Sequence, residues 1–232
     1  MGNSIITVVI PAYNEEETIG DVILETKSIM NGLSLPYEII VVDDGSTDKT
    51  GRIASGHKVI VLSNKKNRGK GYSVRKAIQH ASGDIIVTMD SDGEHKPKEI
   101  PDLIEPLFNG TDIVAGSRFL STKKGATTRL NLLGNLFFNA AIMTLTGKHI
   151  TDSQTGFRAI KRSVLQKLNL NSDGYEIESE ITVKSLKNGI TFKETPISIE
   201  RRKCNISKIR LLKDGTRILK SILKASLTKT EY

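Results

Sequence analysis

The chain has no tryptophan, and aromatic side chains make up only 5% of its 232 residues. Its core must therefore be built from Ile, Leu and Val. A single cysteine, Cys204, excludes a disulfide within the chain and fits a reducing compartment. The N-terminus runs straight into an apolar strand without the basic and apolar regions of a signal peptide. Gly2 follows Met1, but Ile6 stands where a myristoylation signal needs Ser or Thr. Two nucleotide-binding loops are absent as well. No G-x-x-x-x-G-K-[ST] spacing occurs, and no G-x-G-x-x-G follows the first strand.

What is present is organised by charge. Residues 1–200 hold 24 Lys/Arg and 24 Asp/Glu, so the net +8 lies in residues 201–232, with 10 Lys/Arg against 2 Asp/Glu. That tail lacks interleaved aromatics, and the chain carries no helix-turn-helix or zinc-finger pattern. Nucleic acid is therefore a poor partner for it, and an anionic membrane surface a better one.

Apolar runs at Ile5–Ile10, Tyr37–Val42, Lys58–Leu62, Asp84–Met89 and Asp112–Gly116 alternate with helical patterns. The first run is expected to stop at Pro11, with Asn14 capping the helix built on Ile19, Val22, Ile23 and Thr26. Alternation of this kind predicts a single α/β domain with a mostly parallel sheet flanked by helices. Ligands in such sheets bind off the carboxyl ends of the strands, where each polar cluster of this chain falls. Asp43-Asp44-Gly45-Ser46 and Asn67-Arg68-Gly69-Lys70-Gly71 are two of them. A third, Asp90-Ser91-Asp92-Gly93-Glu94-His95, can aim hard oxygen ligands at one divalent cation.

Together with Pro11-Ala12-Tyr13-Asn14-Glu15, Gly116-Ser117-Arg118, Thr155-Gly156-Phe157-Arg158 and Gly174-Tyr175-Glu176-Ile177-Glu178, these motifs resemble family 2 glycosyltransferases of GT-A fold. Within that family the chain is similar to the dolichyl-phosphate mannose synthase branch. The resemblance runs from about residue 6 to about residue 215. It implies a Rossmann-like mixed sheet, and inverting transfer of one hexose, mannose or glucose, from a GDP- or UDP-sugar to polyprenyl (dolichyl) phosphate. It also implies roles. Pro11, Tyr13, Glu15, Val42 and Asp44 would hold the nucleoside, with Lys70, Asp90 and Ser91 also on the nucleotide. Asp90, Asp92 and Glu94 would bind Mg2+ or Mn2+. Arg118, Arg202 and Lys208 would contact donor or acceptor phosphates, and Arg129 the acceptor phosphate. Glu94 and Ser91 depart from the family, which often has Gln and Ala there.

A phosphate monoester with a second pKa of about 6 attacks without a general base. A saccharide hydroxyl, the rival acceptor, needs one, and Asp152 is the candidate; its other reading is a cap on the following turn. Residues 130–147 carry no charge, yet Asn131, Asn135 and Asn139 recur every fourth position. This predicts a helix over 127–147 lying in a membrane interface or packed in the core, not one that spans. Residues 1–200 are thus expected to form the catalytic domain, and 201–232 a basic amphipathic segment with Ile209, Leu212, Leu219, Ile222, Leu223 and Leu227 on its apolar face. That segment either anchors on anionic lipid or covers the sheet. The expected location is peripheral, on the cytoplasmic face of a membrane, with or without an anchoring membrane subunit.

Overall fold

A computed structural model describes residues 4–120, 129–198 and 211–228, with the side chains of 129–131 and 211–212 outside that description. Seven strands form one sheet: β1 (Ile6–Ala12), β2 (Tyr37–Asp43), β3 (Ile60–Ser63), β4 (Ile85–Thr88), β5 (Ile113–Ser117), β6 (Arg158–Lys161) and β7 (Phe192–Pro196). Their spatial order is β3-β2-β1-β4-β6-β5-β7. Six strands run the same way, while β6 is antiparallel to both of its neighbours, β4 and β5. The sheet is mixed and mostly parallel, as the GT-A resemblance implies.

Both faces are buried, which is why the strands read as unbroken apolar runs. Ile6, Val8, Ile10, Ile39, Val41, Ile85 and Val87 meet α1 (Ile19–Gly32) and α4 (Ile100–Phe108) on one side. Val9, Ile40, Val42 and Ile86 face α3 (Lys70–His80), α6 (Arg162–Lys167) and α7 (Ile177–Lys187) on the other, the alternation expected of a period of two. The remaining helices are α2 (Thr50–Ser55), α5 (Arg129–Thr146) and α8 (Leu211–Leu227).

Two local expectations need correction. β1 continues through Pro11, which pairs with Val42. The ladder to β4 ends at Val9–Thr88, and Pro11 lies on that side of the strand, so its missing N–H is not needed there. Asn14 does not cap α1, whose N-cap is Thr18. Asn14 takes a positive φ of 50° and accepts from the Thr47 N–H at 2.8 Å, tying the first rim loop to the second.

Outside the sheet, α8 lies across α7 and α5. Ile218, Ile222 and Ala225 pack with Ile142, Ile150 and Val183 in a separate small core. Of the apolar face expected for this segment, Ile222 is buried in that core and Leu219 half-buried, while Ile209 and the Leu212 side chain lie outside the described residues. Leu223 and Leu227, one position further round the helix, are 48% and 85% exposed. They share the outer stripe with Lys213, Arg217, Lys220 and Lys224. Among the described residues, no helix is long and apolar enough to cross a membrane.

Candidate active site

The carboxyl ends of β1, β2, β4 and β5 form one rim, and antiparallel β6 enters it from its N-terminal end, bringing Asp152–Phe157 to the same place. At β2, Asp44 is buried and its carboxylate accepts from Asn64 Nδ2 (2.7 Å), Arg68 N (2.9 Å) and Gly69 N (2.7 Å). Three donors on one carboxylate fix the Asn67–Gly71 loop against the strand. Gly69 has φ +102°, and a Cβ there would collide with the Asp173 carbonyl, so the close approach of these two loops requires glycine. Tyr13 is half-buried beside this loop system, and Glu15 is buried, its N–H bonded to Thr50 Oγ1 at 2.7 Å. Pro11 lies beneath, and Val42 is fully buried under α3. The Val42 side chain therefore packs in the core.

At β4, His95 organises the acidic turn. Its ring stacks on Phe157 with centroids 5.0 Å apart, and Nδ1 accepts the Asp90 N–H at 3.1 Å. Burial holds the imidazole below its ordinary pKa, so the 3.8 Å approach of Asp90 Oδ2 is a dipolar contact, not a salt bridge. Asp92 is buried and accepts the Glu94 N–H at 3.0 Å, while the Ser91 carbonyl accepts from Thr18 Oγ1 at 2.8 Å. Ser91 is itself buried.

Lys70, the first residue of α3, reaches across to this turn. Its Nζ lies 2.5 Å from Asp90 Oδ1 and 2.7 Å from Glu178 Oε1 at the start of α7. Burial works against the charge on Lys70, but the two carboxylates outweigh it and hold the ammonium above its ordinary pKa. Burial also pushes the Glu178 carboxyl up. Gly156 closes over the pair, where a Cβ would meet both the Lys70 ammonium and the Asp90 carboxylate. In the sequence Glu178 stands out only as one member of the Gly174–Glu178 motif; an acid in the first turn of a helix ordinarily reads as a dipole contact. No group of three His, Cys, Asp or Glu side chains preassembled around one metal position occurs among the described residues. The donor chemistry nevertheless fits a hard cation. Asp90 and Asp92 are adjacent oxygen donors at a strand end, and one oxygen of Asp90 already holds a cation, the Lys70 ammonium.

At β5, Arg118 is clamped. Its Nε donates to Asp152 Oδ2 at 2.6 Å and its second guanidinium nitrogen to Oδ1 at 2.8 Å, while the Arg118 N–H also reaches Oδ2. Asp152 is fully buried, and its own N–H donates to Glu194. The candidate general base therefore has both oxygens on an arginine and is not directed at an acceptor hydroxyl. Burial opposes the Arg118 charge, but Asp152 chiefly, with Glu94 and Asp90, raises its pKa; those acids all act on one guanidinium.

Beside this pair, α5 is tethered by its asparagines. Asn135 and Asn139 are buried and donate to the Thr151 carbonyl at 3.2 and 2.7 Å, and Asn139 accepts the Ser153 N–H. The polar stripe faces the protein. Leu133, Phe137 and Leu136 face outward at 63%, 58% and 53% exposure. Arg129 begins this helix, but its side chain, like Arg202 and Lys208, lies outside the described residues.

The structure thus gathers Asp44, Lys70, Asp90, Asp92, Glu94, Arg118 and Asp152 on one rim. That architecture is shared with known proteins. The model of the glycosyl transferase family 2 matches residues 7–168, and the chain belongs to that family. It is a glycosyltransferase, and its fold is GT-A. A dolichol-phosphate mannosyltransferase of Pyrococcus furiosus is 33% identical over 214 residues, covering 88% of this chain but 59% of that protein. A UDP-N-acetylglucosamine–dolichyl-phosphate N-acetylglucosaminyltransferase of Methanococcus voltae is 34% identical over 223 residues, covering 85% and 86% of the two chains. Among solved structures, glucosyl-3-phosphoglycerate synthase from Mycobacterium tuberculosis, in complex with Mn2+, UDP and glucosyl-3-phosphoglycerate, superposes with a TM-score of 0.75 at 26% identity. That match covers 96% of this chain and 80% of the other.

Proposed function

We propose that this chain transfers a single hexose, mannose or glucose, with inversion from a GDP- or UDP-sugar to a polyprenyl phosphate such as dolichyl phosphate. The observation that carries this reading is the reversed polarity of α5. Its asparagines turn inward beside the Arg118–Asp152 pair while Leu133, Leu136 and Phe137 turn outward. An arginine and a helix face that is apolar and exposed among the described residues, side by side, suit an acceptor that is a phosphate on a hydrocarbon chain. The names of the Pyrococcus and Methanococcus relatives support the same acceptor class.

Asp90 and Asp92, with Glu94 as a third oxygen donor, are the residues that would hold Mg2+ or Mn2+; the ion supplies charge stabilisation to the leaving diphosphate. Pro11, Tyr13, Glu15 and Asp44 bound the nucleoside end, and Lys70 sits where the diphosphate meets the acidic turn. Arg118 presents a pre-aligned guanidinium to the incoming phosphate and offsets repulsion between two anionic substrates. Asp152 keeps that guanidinium in place, and no general base is required because the acceptor phosphate is already ionised near neutrality.

The same surfaces support peripheral attachment to a membrane, expected on its cytoplasmic face. The apolar face of α5 would enter the interface, and the outer stripe of α8, with Arg217, Lys220 and Lys224, would meet anionic headgroups or an anchoring subunit. The test is to incubate the purified chain with Mn2+ or Mg2+, a panel of nucleotide sugars and polyprenyl phosphate, reading products by mass. A polyprenyl-phosphate hexose is expected. Sugar transfer to saccharide hydroxyls with none to the lipid phosphate would sink the reading in favour of a hydroxyl-acceptor enzyme.

A further inference from the structure

Glu178 is 5% exposed, yet its Oε2 has no hydrogen-bond partner among the described residues. Its other oxygen holds Lys70 at 2.7 Å. Its backbone is pinned, since the Glu178 carbonyl accepts from Arg158 at 3.0 Å and from Thr182 Oγ1 at 2.8 Å. A buried carboxylate on fixed backbone cannot follow a departing partner, and leaving it unpaired is costly. Lys70 is different. It is a flexible stem with three donors that can be shared or redirected. One of them is now held by Asp90 Oδ1 at 2.5 Å, on a carboxylate that would hold a divalent cation at this turn.

We propose that Lys70 is a placeholder for the divalent cation at Asp90, and that Glu178 is the pivot that retains the ammonium when metal and diphosphate arrive. This rests on the metal site of the proposed function. An ammonium and a metal ion on one carboxylate repel each other, so a metal at Asp90 would compete with Lys70 for it. Without nucleotide the displaced ammonium keeps only Glu178 among the described residues and is repelled by the new cation. With nucleotide, the diphosphate oxygens arrive on the same side and give the ammonium a second anionic partner. Metal and nucleotide therefore favour each other through Lys70, and the coupling is reciprocal. Glu178 acts through Lys70 and is a positioning residue.

The test is Mn2+ binding to the full chain, followed by electron paramagnetic resonance of free Mn2+, alone and with UDP or GDP. Wild type should bind Mn2+ about tenfold tighter with a cognate nucleoside diphosphate than without. Lys70→Met should tighten Mn2+ binding in the absence of nucleotide by about fivefold, and shrink the nucleotide effect by a similar factor. Glu178→Gln should shift the other way. With its pivot uncharged, Lys70 settles on Asp90 and Mn2+ alone binds more weakly than in wild type. Opposite signs are not what general damage to the site produces. Unchanged or weaker Mn2+ binding by a folded Lys70→Met variant overturns the proposal, as does a Glu178→Gln shift in the same direction. Should Lys70→Met fail to fold, the sign for Glu178→Gln decides alone. If wild type binds no Mn2+ with either nucleotide, the metal reading of the site falls and takes this proposal with it. Mn2+ binding without the opposed shifts removes the placeholder only.

Discussion

Asp152 and Arg118 stand 34 positions apart in the chain, and nothing in either local motif announces their pairing. Taken alone, an acid ahead of Gln154-Thr155-Gly156-Phe157 is open to reading as a base or a cap. Its geometry makes it a holder of Arg118. Replacing Asp152 by Asn should loosen the guanidinium and raise KM for polyprenyl phosphate by about tenfold, the worth of one good charge-assisted hydrogen bond. KM for the nucleotide sugar should change by less, since Asp152 touches Arg118 directly while Glu94 and Asp90 act on it only through space. Steady-state kinetics with each substrate varied in turn checks the split; equal effects on both would assign Asp152 elsewhere. The Asp90–Asp92 pair was legible because its two members are near neighbours in sequence. Lys70 with Glu178 was not, for these side chains meet only when α3 and α7 are laid against the sheet.

Among the elements, β1, β2, β4 and β5 could be read directly, because burial on both faces leaves long β-branched runs. β6 and β7 could not. β6 is four residues long and opens with Arg158, a charged side chain that is 1% exposed and satisfied by the carbonyls of Thr155, Ser153 and Glu178. β7 mixes Lys193 and Glu194 into an edge strand with partly exposed positions. For α5 the period was visible, but which stripe faced inward depended on the Thr151 carbonyl, a tertiary partner.

Helix α7 carries a further prediction. The Glu180 carboxylate accepts the N–H groups of Asn171 and Ser172 and pairs with Lys184 at 2.7 Å. Burial opposes its charge, but Lys184 and Ser172 prevail and lower its pKa from 4.5. A depressed folded pKa gives stability that is present above 4.5 and fades as pH falls through the folded value. Glu180→Gln should therefore cost about 1–3 kcal/mol at neutral pH by urea unfolding, a deficit that narrows below about pH 4. A deficit constant with pH would show that packing, not charge, is what Glu180 contributes. On the other face of the sheet, Phe157 is fully buried under His95. Phe157→Ala should cost about 3–5 kcal/mol in the same measurement and leave the acidic turn without its stacked support.

At the scale of the molecule, the exposed apolar residues of α5 and the exposed cations Lys213, Arg217, Lys220 and Lys224 of α8 belong to the same region. α5 and α8 pack against each other through Phe138, Ile142, Ile218 and Ile222, and turn Leu133, Phe137, Leu223 and several cations to solvent. Leu133→Ser with Phe137→Ser should weaken co-sedimentation with anionic vesicles by about tenfold or more, at about 1.5 kcal/mol or more per buried side chain. The melting temperature should barely move, because both side chains are already exposed. Unaltered vesicle binding would leave α5 without its assigned role.

The antiparallel strand has a temporal consequence. β5 joins the sheet only through β6, so β4 offers an open hydrogen-bonding edge from the moment it is made until β6 is made. The Thr88 hydroxyl waits for the Gly156 carbonyl, 68 residues further along the chain. At about 5–20 residues per second of synthesis, that edge stays open on the ribosome for several seconds. The first four strands can close around α1 and α3 in that interval, but Arg118, Asp152 and Gly156 come together only afterwards. The half of the rim that carries Asp44, Lys70 and Asp90 is thus older, by seconds, than the half that carries Arg118 and Asp152.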